Sequence, residues 1–230
     1  MSESAESWLE GRVLLFDKPY RWTSFYLVKQ VRKALERSYG LRKLKVGHAG
    51  TLDPLATGLM IVAVGKATKQ IDELQAGDKE YLATVRLGAT TPGFDLEKEI
   101  DARFPFEHVT EEKVRVALDG LTGGIDQVPP LYSAKKIEGV RAYEKARRGE
   151  AHELQPRRVI IHRIDLLDFT LPDIRLRIHC SKGTYIRSIA RDLGSALDSG
   201  GHLVELRRIR SGHFSVEEAM TFDNFQKSLP

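Results

Sequence analysis

A chain of 230 residues, 41% hydrophobic and 30% charged, can form one large domain or two small ones, with a core that needs no disulfide or metal staple. Its single cysteine, Cys180, excludes an internal disulfide and fits a reducing cytosol. The polar, acidic residues 1–10 do not read as a secretory signal, and the longest apolar run, 59–64, is far short of the ~20 residues that span a bilayer, so a cytoplasmic protein without a membrane partner is expected.

Taken in chain order, residues 12–16 form a short apolar strand closed by Asp17-Lys18-Pro19. Thr23 or Ser24 caps a helix that runs to about Tyr39 and stops at Gly40. Leu27, Val31 and Leu35 give it one buried face, and Lys29, Arg32, Lys33 and Arg37 fall off that face. Next comes the loop Gly47-His48-Ala49-Gly50-Thr51-Leu52-Asp53-Pro54-Leu55-Ala56-Thr57-Gly58. Its glycines widen the accessible φ and ψ, and Pro54 fixes its own φ and restricts Asp53. Such a loop is either a plain Asp-Pro turn or a shaped support that aims the Asp53 carboxylate.

The run 59–64 reads as a strand buried on both faces, and 66–74 as a short helix. Residues 80–87 alternate, with Tyr81, Ala83, Val85 and Leu87 on one face. Tyr81 there either fills the core or offers a platform for a base. Residues 88–93 read as a loop, 111–118 as a helix, and Gly123-Gly124 as a break. An extended stretch follows at 132–137 and a cation-rich helix at 141–148. Strands follow at 158–169 and 174–180, the second with Ile174, Leu176, Ile178 and Cys180 inward. Thr184 is expected to cap a helix to about Leu197, ended by Gly200-Gly201, and 202–209 is the last strand before a short tail. The elements mix without a βαβ rhythm, so the fold class is α+β with a mixed, mostly antiparallel sheet flanked by helices.

The formal charge is only +4, but cations cluster in three places: Lys29 to Lys45, Arg141 to Arg148, and Arg207, Arg208 and Arg210. Three clusters on a nearly neutral background point to a polyanion partner, RNA or DNA. Motifs for other chemistries fail. Gly65-Lys66 lacks the glycine and the hydroxyl residue of a phosphate loop, no dinucleotide fingerprint or nucleophile elbow occurs, and the seven histidines lack metal-ligand spacing. No cofactor and no metal are expected. One residue breaks a local rule: Arg187 falls in the first turn of its helix, where a cation opposes the dipole by ~0.3–1 kcal/mol. It is either a surface cation or the partner of a carboxylate.

Taken together and in order, several stretches resemble the TruB-type tRNA pseudouridine-55 synthases. They are the glycine loop around Asp53, Asp17-Lys18-Pro19 with Thr23-Ser24, and Tyr81 to Gly88 with Asp95 beyond. Pro129-Pro130-Leu131-Tyr132-Ser133-Ala134-Lys135-Lys136 leads into Gly139-Val140-Arg141-Ala142-Tyr143-Glu144, then come Cys180-Ser181-Lys182-Gly183-Thr184-Tyr185-Ile186-Arg187 and Leu206-Arg207-Arg208. The resemblance runs from about Gly11 to Gly212; it departs at Ala49, where the family often has Thr.

The resemblance implies a pseudouridine-synthase-like core at 11–214, with 1–10 and 215–230 as short terminal extensions and no C-terminal PUA-type domain. It implies catalytic roles for Asp53 as nucleophile, Tyr81 stacked on the target uracil, and Arg187 paired with the aspartate. It implies substrate-binding roles for His48 where the base leaves its stack, for Tyr185 and Leu206 in the uracil pocket, and for Lys18 as a supporting lysine. The implied reaction is isomerisation of uridine 55 in the T arm of tRNA by base flipping, by a monomer that also assists tRNA folding. Asp53 could attack C1′, attack the uracil ring, or abstract a ribose proton; the residues do not choose among these.

Overall fold

The computed structural model describes residues 4–130 and 155–230, with the backbone of two short strands between them at 136–137 and 140–141. In chain order the elements are α1 (Ala5–Glu10), β1 (Arg12–Lys18), α2 (Ser24–Tyr39), β2 (Val46–His48), β3 (Thr57–Val64), α3 (Ile71–Leu74), β4 (Lys79–Leu87), β5 (Ala89–Thr90) and β6 (Ala102–Arg103). They continue as α4 (Glu111–Gly120), β7 (Gly123–Gln127), β8 (Lys136–Ile137), β9 (Val140–Arg141), β10 (Arg157–Thr170), β11 (Asp173–Cys180), α5 (Ile186–Ala196), β12 (Gly201–Ser211), β13 (Phe214–Ser215) and α6 (Phe222–Ser228). The side chains of the expected cationic helix at 141–148, and most of the Pro129–Glu144 motif, lie outside the described residues.

The chain divides into two compact units: Met1–Glu80 with Arg207–Pro230, and Tyr81–Leu206. In the first, β1 pairs antiparallel with β3, from Arg12 opposite Val64 to Lys18 opposite Gly58, and β2 pairs antiparallel with β3 as well. The C-terminal half of β12 joins β3 in parallel, with Arg207 opposite Thr57 and Arg208 opposite Gly58. Helix α2 covers this sheet as its periodicity predicts. The Thr23 side chain accepts from the Tyr26 N–H at the start, and Gly40 takes a left-handed φ of 64° at the end, a conformation glycine adopts without the strain other residues meet. Leu27, Val31 and Leu35 are fully buried against Phe16, Met60, Val62 and Val64.

Both terminal segments, expected to be extensions, supply this core. Helix α1 buries Trp8 and α6 buries Phe225, whose rings meet edge to face at 6.4 Å. The tail is tied to β1 by two backbone hydrogen bonds, from the Asp17 N–H to the Met220 carbonyl and from the Met220 N–H to the Leu15 carbonyl. At roughly 25 cal/mol per Å² of apolar surface, each buried aromatic contributes a few kcal/mol.

In the second unit the strand order is β12, β4, β11, β10, β7, with the N-terminal half of β12 at one side. Strands β10 and β11 form a long antiparallel hairpin, and Ile174, Leu176, Ile178 and Cys180 all point inward as expected. Helix α5 buries Ile186, Ile189, Ala190 and Leu193. The expected break at Gly123-Gly124 is instead the start of strand β7, which pairs antiparallel with β10 from Gly123 opposite Ile161 to Gln127 opposite Arg157. Glycine serves there through its backbone: Gly123 sits at φ +94°, which an L side chain rarely adopts. Within each unit, the sheet is mostly antiparallel and flanked by helices, so the α+β class holds.

Candidate active site

In the first unit the glycine loop is held at four points, two of them on the neighbours of Asp53. On one side, the Ser24 hydroxyl both accepts from the Leu52 N–H (2.8 Å) and donates to the Leu52 carbonyl (2.9 Å). On the other, the Lys18 ammonium donates to the Pro54 carbonyl at 3.3 Å, and to the carbonyls of Pro19 (3.1 Å) and Trp22 (2.6 Å). Farther out, the Arg208 guanidinium donates to the Gly50 carbonyl (3.1 Å) and the Leu59 carbonyl (2.8 Å). Between these clamps Asp53 opens a turn closed by the Ala56 N–H to its own carbonyl at 3.1 Å, with Pro54 at the position that wants φ near −65°. Asp53 is left half-buried. Gly58, at φ +99°, lets the loop leave against the Arg208 backbone, where a Cβ would overlap the Arg208 carbonyl.

Lys18 and Ser24, from the stretches Asp17-Lys18-Pro19 and Thr23-Ser24, thus carry clamps of the loop. The same arrangement corrects the reading of two cations. Arg208 is 1% exposed and spends its donors on the loop, and Arg207 forms a two-pronged ion pair with Asp17 (2.7 and 2.9 Å). The expected third cationic cluster therefore leaves only Arg210 exposed. Lys18 is fully buried, so it supports the loop.

Burial holds the Lys18 pKa at about 8; the negative charge of Asp53 opposes that drop and the positive charge of Arg208 adds to it. Unfolded, this lysine would keep its proton to about pH 10.5. Between those values the unfolded chain binds the extra proton, so stability from this group rises with pH across the window. We expect Lys18→Met to abolish that component. In urea unfolding at about pH 7.5 and 9.5, the gain in stability on going alkaline should be smaller in the variant by about 2 kcal/mol. An equal gain in both proteins would show that Lys18 is not a buried cation.

His48, at the end of β2, is half-buried, and its Nδ1 is shielded with no hydrogen-bond partner among the described residues. Burial first, and then the charge of Arg208, hold its pKa below the ordinary imidazole value, against a backbone hydrogen bond at Gly50 that raises it. The ring is thus neutral at neutral pH.

In the second unit Arg187 is 4% exposed, which removes the surface-cation reading. Its Nη1 faces Asp95 Oδ2 at 3.5 Å and donates to the Gly93 carbonyl at 3.3 Å. Asp95 is itself buried, so the sequence-expected carboxylate partner of this arginine includes one in its own unit. Thr184 is not the helix cap: its hydroxyl donates back to the Ser181 carbonyl, and Tyr185 takes the cap position without a side-chain bond. The end of β7 anchors this start of the helix. Gln127, 2% exposed, accepts from the Tyr185 N–H at 2.8 Å and donates to the Tyr185 carbonyl at 3.2 Å. The Ser188 hydroxyl donates to the Val128 carbonyl at 2.8 Å. These bonds fix Tyr185 and Arg187, and a lone glutamine before Val128-Pro129-Pro130 carries no sequence signal for them. Tyr81 lies on the buried face of β4 and Leu206 is half-buried on β12.

Comparison with known proteins agrees with this reading. A family model described as "TruB family pseudouridylate synthase (N terminal domain)" matches residues 36–186, and one described as "tRNA pseudouridylate synthase B C-terminal domain" matches 187–229. The tRNA pseudouridine synthase B of Phocaeicola vulgatus is 55% identical over 220 residues, which are 96% of this chain and 94% of that protein. The protein of that name from Flavobacterium johnsoniae is 50% identical over 97% of this chain and 98% of its own. Among solved structures, a Cbf5-Nop10-Gar1 complex matches with a TM-score of 0.74 and 31% identity over 98% of this chain, which spans only 56% of that one. With two family models that together span residues 36–229 and relatives this similar over nearly their full length, the chain belongs to the TruB family of pseudouridylate synthases.

Proposed function

We propose that this chain converts uridine 55 in the T loop of tRNA to pseudouridine, with Asp53 as the reacting carboxylate. The observation that carries the reading is the loop itself: both neighbours of Asp53 are fixed by buried side chains while Asp53 is only half-buried. A structural turn needs no buried lysine, whose desolvation is costly. The names of similar relatives, tRNA pseudouridine synthase B, support tRNA as the substrate and pseudouridine as the product.

The target base lies inside folded RNA and must be extruded, at a cost of a few kcal/mol. The N-glycosidic bond then breaks, uracil turns, C5 joins C1′, and the C5 proton is lost as N1 gains one. Atoms balance with no oxidant, reductant or group donor, so the chemistry calls for no cofactor and no metal. Asp53 begins it at C1′, at the uracil ring or at a ribose C–H; all three use one ionised carboxylate. Tyr81 stacks on the uracil, Arg187 supplies positive charge to the reacting carboxylate, Tyr185 and Leu206 line the uracil pocket, and His48 takes the place of the extruded base. The enzyme acts as a cytoplasmic monomer on the T arm.

Chemical mapping of an unmodified tRNA transcript after incubation with the protein alone tests this. Pseudouridine at position 55 is expected, and its absence overturns the proposal. Binding should also depend on salt through the exposed face of α2. Lys29 and Lys33 are both exposed there, and Lys29→Ala with Lys33→Ala should lower the slope of log affinity against log salt by about 1–2. An unchanged slope in filter binding would take that face off the RNA.

A further inference from the structure

A cavity of about 480 Å³ lies in the first unit, lined by Arg32, Lys43, Leu44, Lys45, Val46, Gly47, Thr68 and Ile71. That size suits a ligand of nucleotide dimensions. Its walls and its rim differ in chemistry. Leu44, Val46 and Ile71 give it an aliphatic lining, while Arg32, Lys43 and Lys45 bring three cations. None of the three cations has an ion-pair or hydrogen-bond partner among the described residues, and the Arg32 Nε is sealed from solvent with no acceptor.

Two further observations point the same way. Glu36, the acidic residue amid these cations, does not neutralise them: its carboxylate accepts from the Leu44 N–H at 3.0 Å and so holds the backbone of the cavity wall. Lys43 sits at φ +57°, a left-handed conformation that a lysine adopts only when its surroundings impose it. The segment thus accepts strain and unpaired charge to present cations around an apolar hollow.

We propose that this cavity seats a nucleotide, its phosphate on Arg32, Lys43 and Lys45 and its base against Leu44, Val46 and Ile71, and that the nucleotide is one of the substrate RNA other than the target uridine. The assignment to RNA rests on the proposed function. It also rests on charge: three cations around one hollow suit a polyanion. A single-stranded nucleotide splayed from the loop offers both a phosphate and an apolar ring face.

The test uses the full chain, an unmodified tRNA transcript, uridine 5′-monophosphate and inorganic phosphate as probes. Two variants separate charge from volume: Lys43→Glu with Lys45→Glu, both exposed side chains, and Ile71→Trp, which fills the hollow without changing charge. We expect the dissociation constant for tRNA to rise about tenfold in the first and about fivefold in the second, with thermal melting within a few degrees of wild type. Weak binding of uridine monophosphate, stronger than that of phosphate alone, should be lost in both. Affinity for tRNA within twofold of wild type in both variants overturns the proposal. Loss of uridine monophosphate binding without loss of tRNA affinity also overturns it, because the cavity would then serve a free nucleotide. Should the wild-type protein make no pseudouridine, the failure belongs to the proposed function, and the mononucleotide titration still decides whether the cavity is a nucleotide site.

Discussion

Asp53→Asn is expected to give a folded protein whose rate of pseudouridine formation falls by at least about 10³–10⁴-fold. The turn does not depend on the carboxylate. It is closed by the Ala56 N–H on the Asp53 carbonyl, and its flanks are held through the backbones of Leu52 and Pro54. Asparagine tolerates the same turn, so shape survives while charge and nucleophile are lost. A second signature follows from electrostatics. The Asp53 charge raises the pKa of Lys18, so its removal should push that pKa below about 8 and start the stability gain described above at lower pH. Turnover would be read by mass spectrometry of derivatised pseudouridine, with the melting curve as the control for folding. A wild-type rate would remove Asp53 from the chemistry.

Arg187→Met should be the most destabilising single change in the second unit. It strips a guanidinium that is 4% exposed and leaves the Asp95 carboxylate, 6% exposed, without that partner. Breaking one side of a buried pair costs about 3–5 kcal/mol, because the remaining charge is no longer compensated. Replacing both partners removes the stranded charge, so Arg187→Met with Asp95→Asn should recover a large part of the lost stability. Activity should not recover, since the role proposed for Arg187 needs its charge. Arg187→Lys keeps the charge but loses the planar fork, and should fall between. The check is urea unfolding alongside single-turnover kinetics on tRNA. If the double variant regains activity with stability, Arg187 is only a structural cation.

What the sequence made legible was local. The span, cap and stop of α2 were readable because Thr23, the Leu27-Val31-Leu35 stripe and Gly40 act on their own helix. The inward faces of β4 and β11 were readable because alternation needs no knowledge of the partner strand. The loop around Asp53 stood out because glycine and proline densities mark unusual backbone. What stayed hidden depended on distant residues. Strand β7 begins with two glycines, and only its pairing to β10 makes it a strand. The anchor of Tyr185, where α5 begins, is Gln127, 58 residues earlier. Arg207 and Arg208 look like solvent-facing cations until Asp17, Gly50 and Leu59 are placed beside them. Terminal segments rich in polar residues concealed Trp8 and Phe225, single aromatics whose burial no periodicity announces.

The first unit is discontinuous in sequence, and this has a consequence for how the enzyme comes into being. Tyr81–Leu206 is one uninterrupted stretch, able to fold as it emerges from the ribosome. The unit that holds Asp53 must wait for the opposite end of the message. The Gly50 and Leu59 carbonyls meet the Arg208 guanidinium only after more than nine-tenths of the chain has been made, and Phe225 later still. The reacting carboxylate is thus encoded early and armed last, and a nascent chain stalled before residue 208 would carry every residue of the Asp53 loop without the clamp that shapes it.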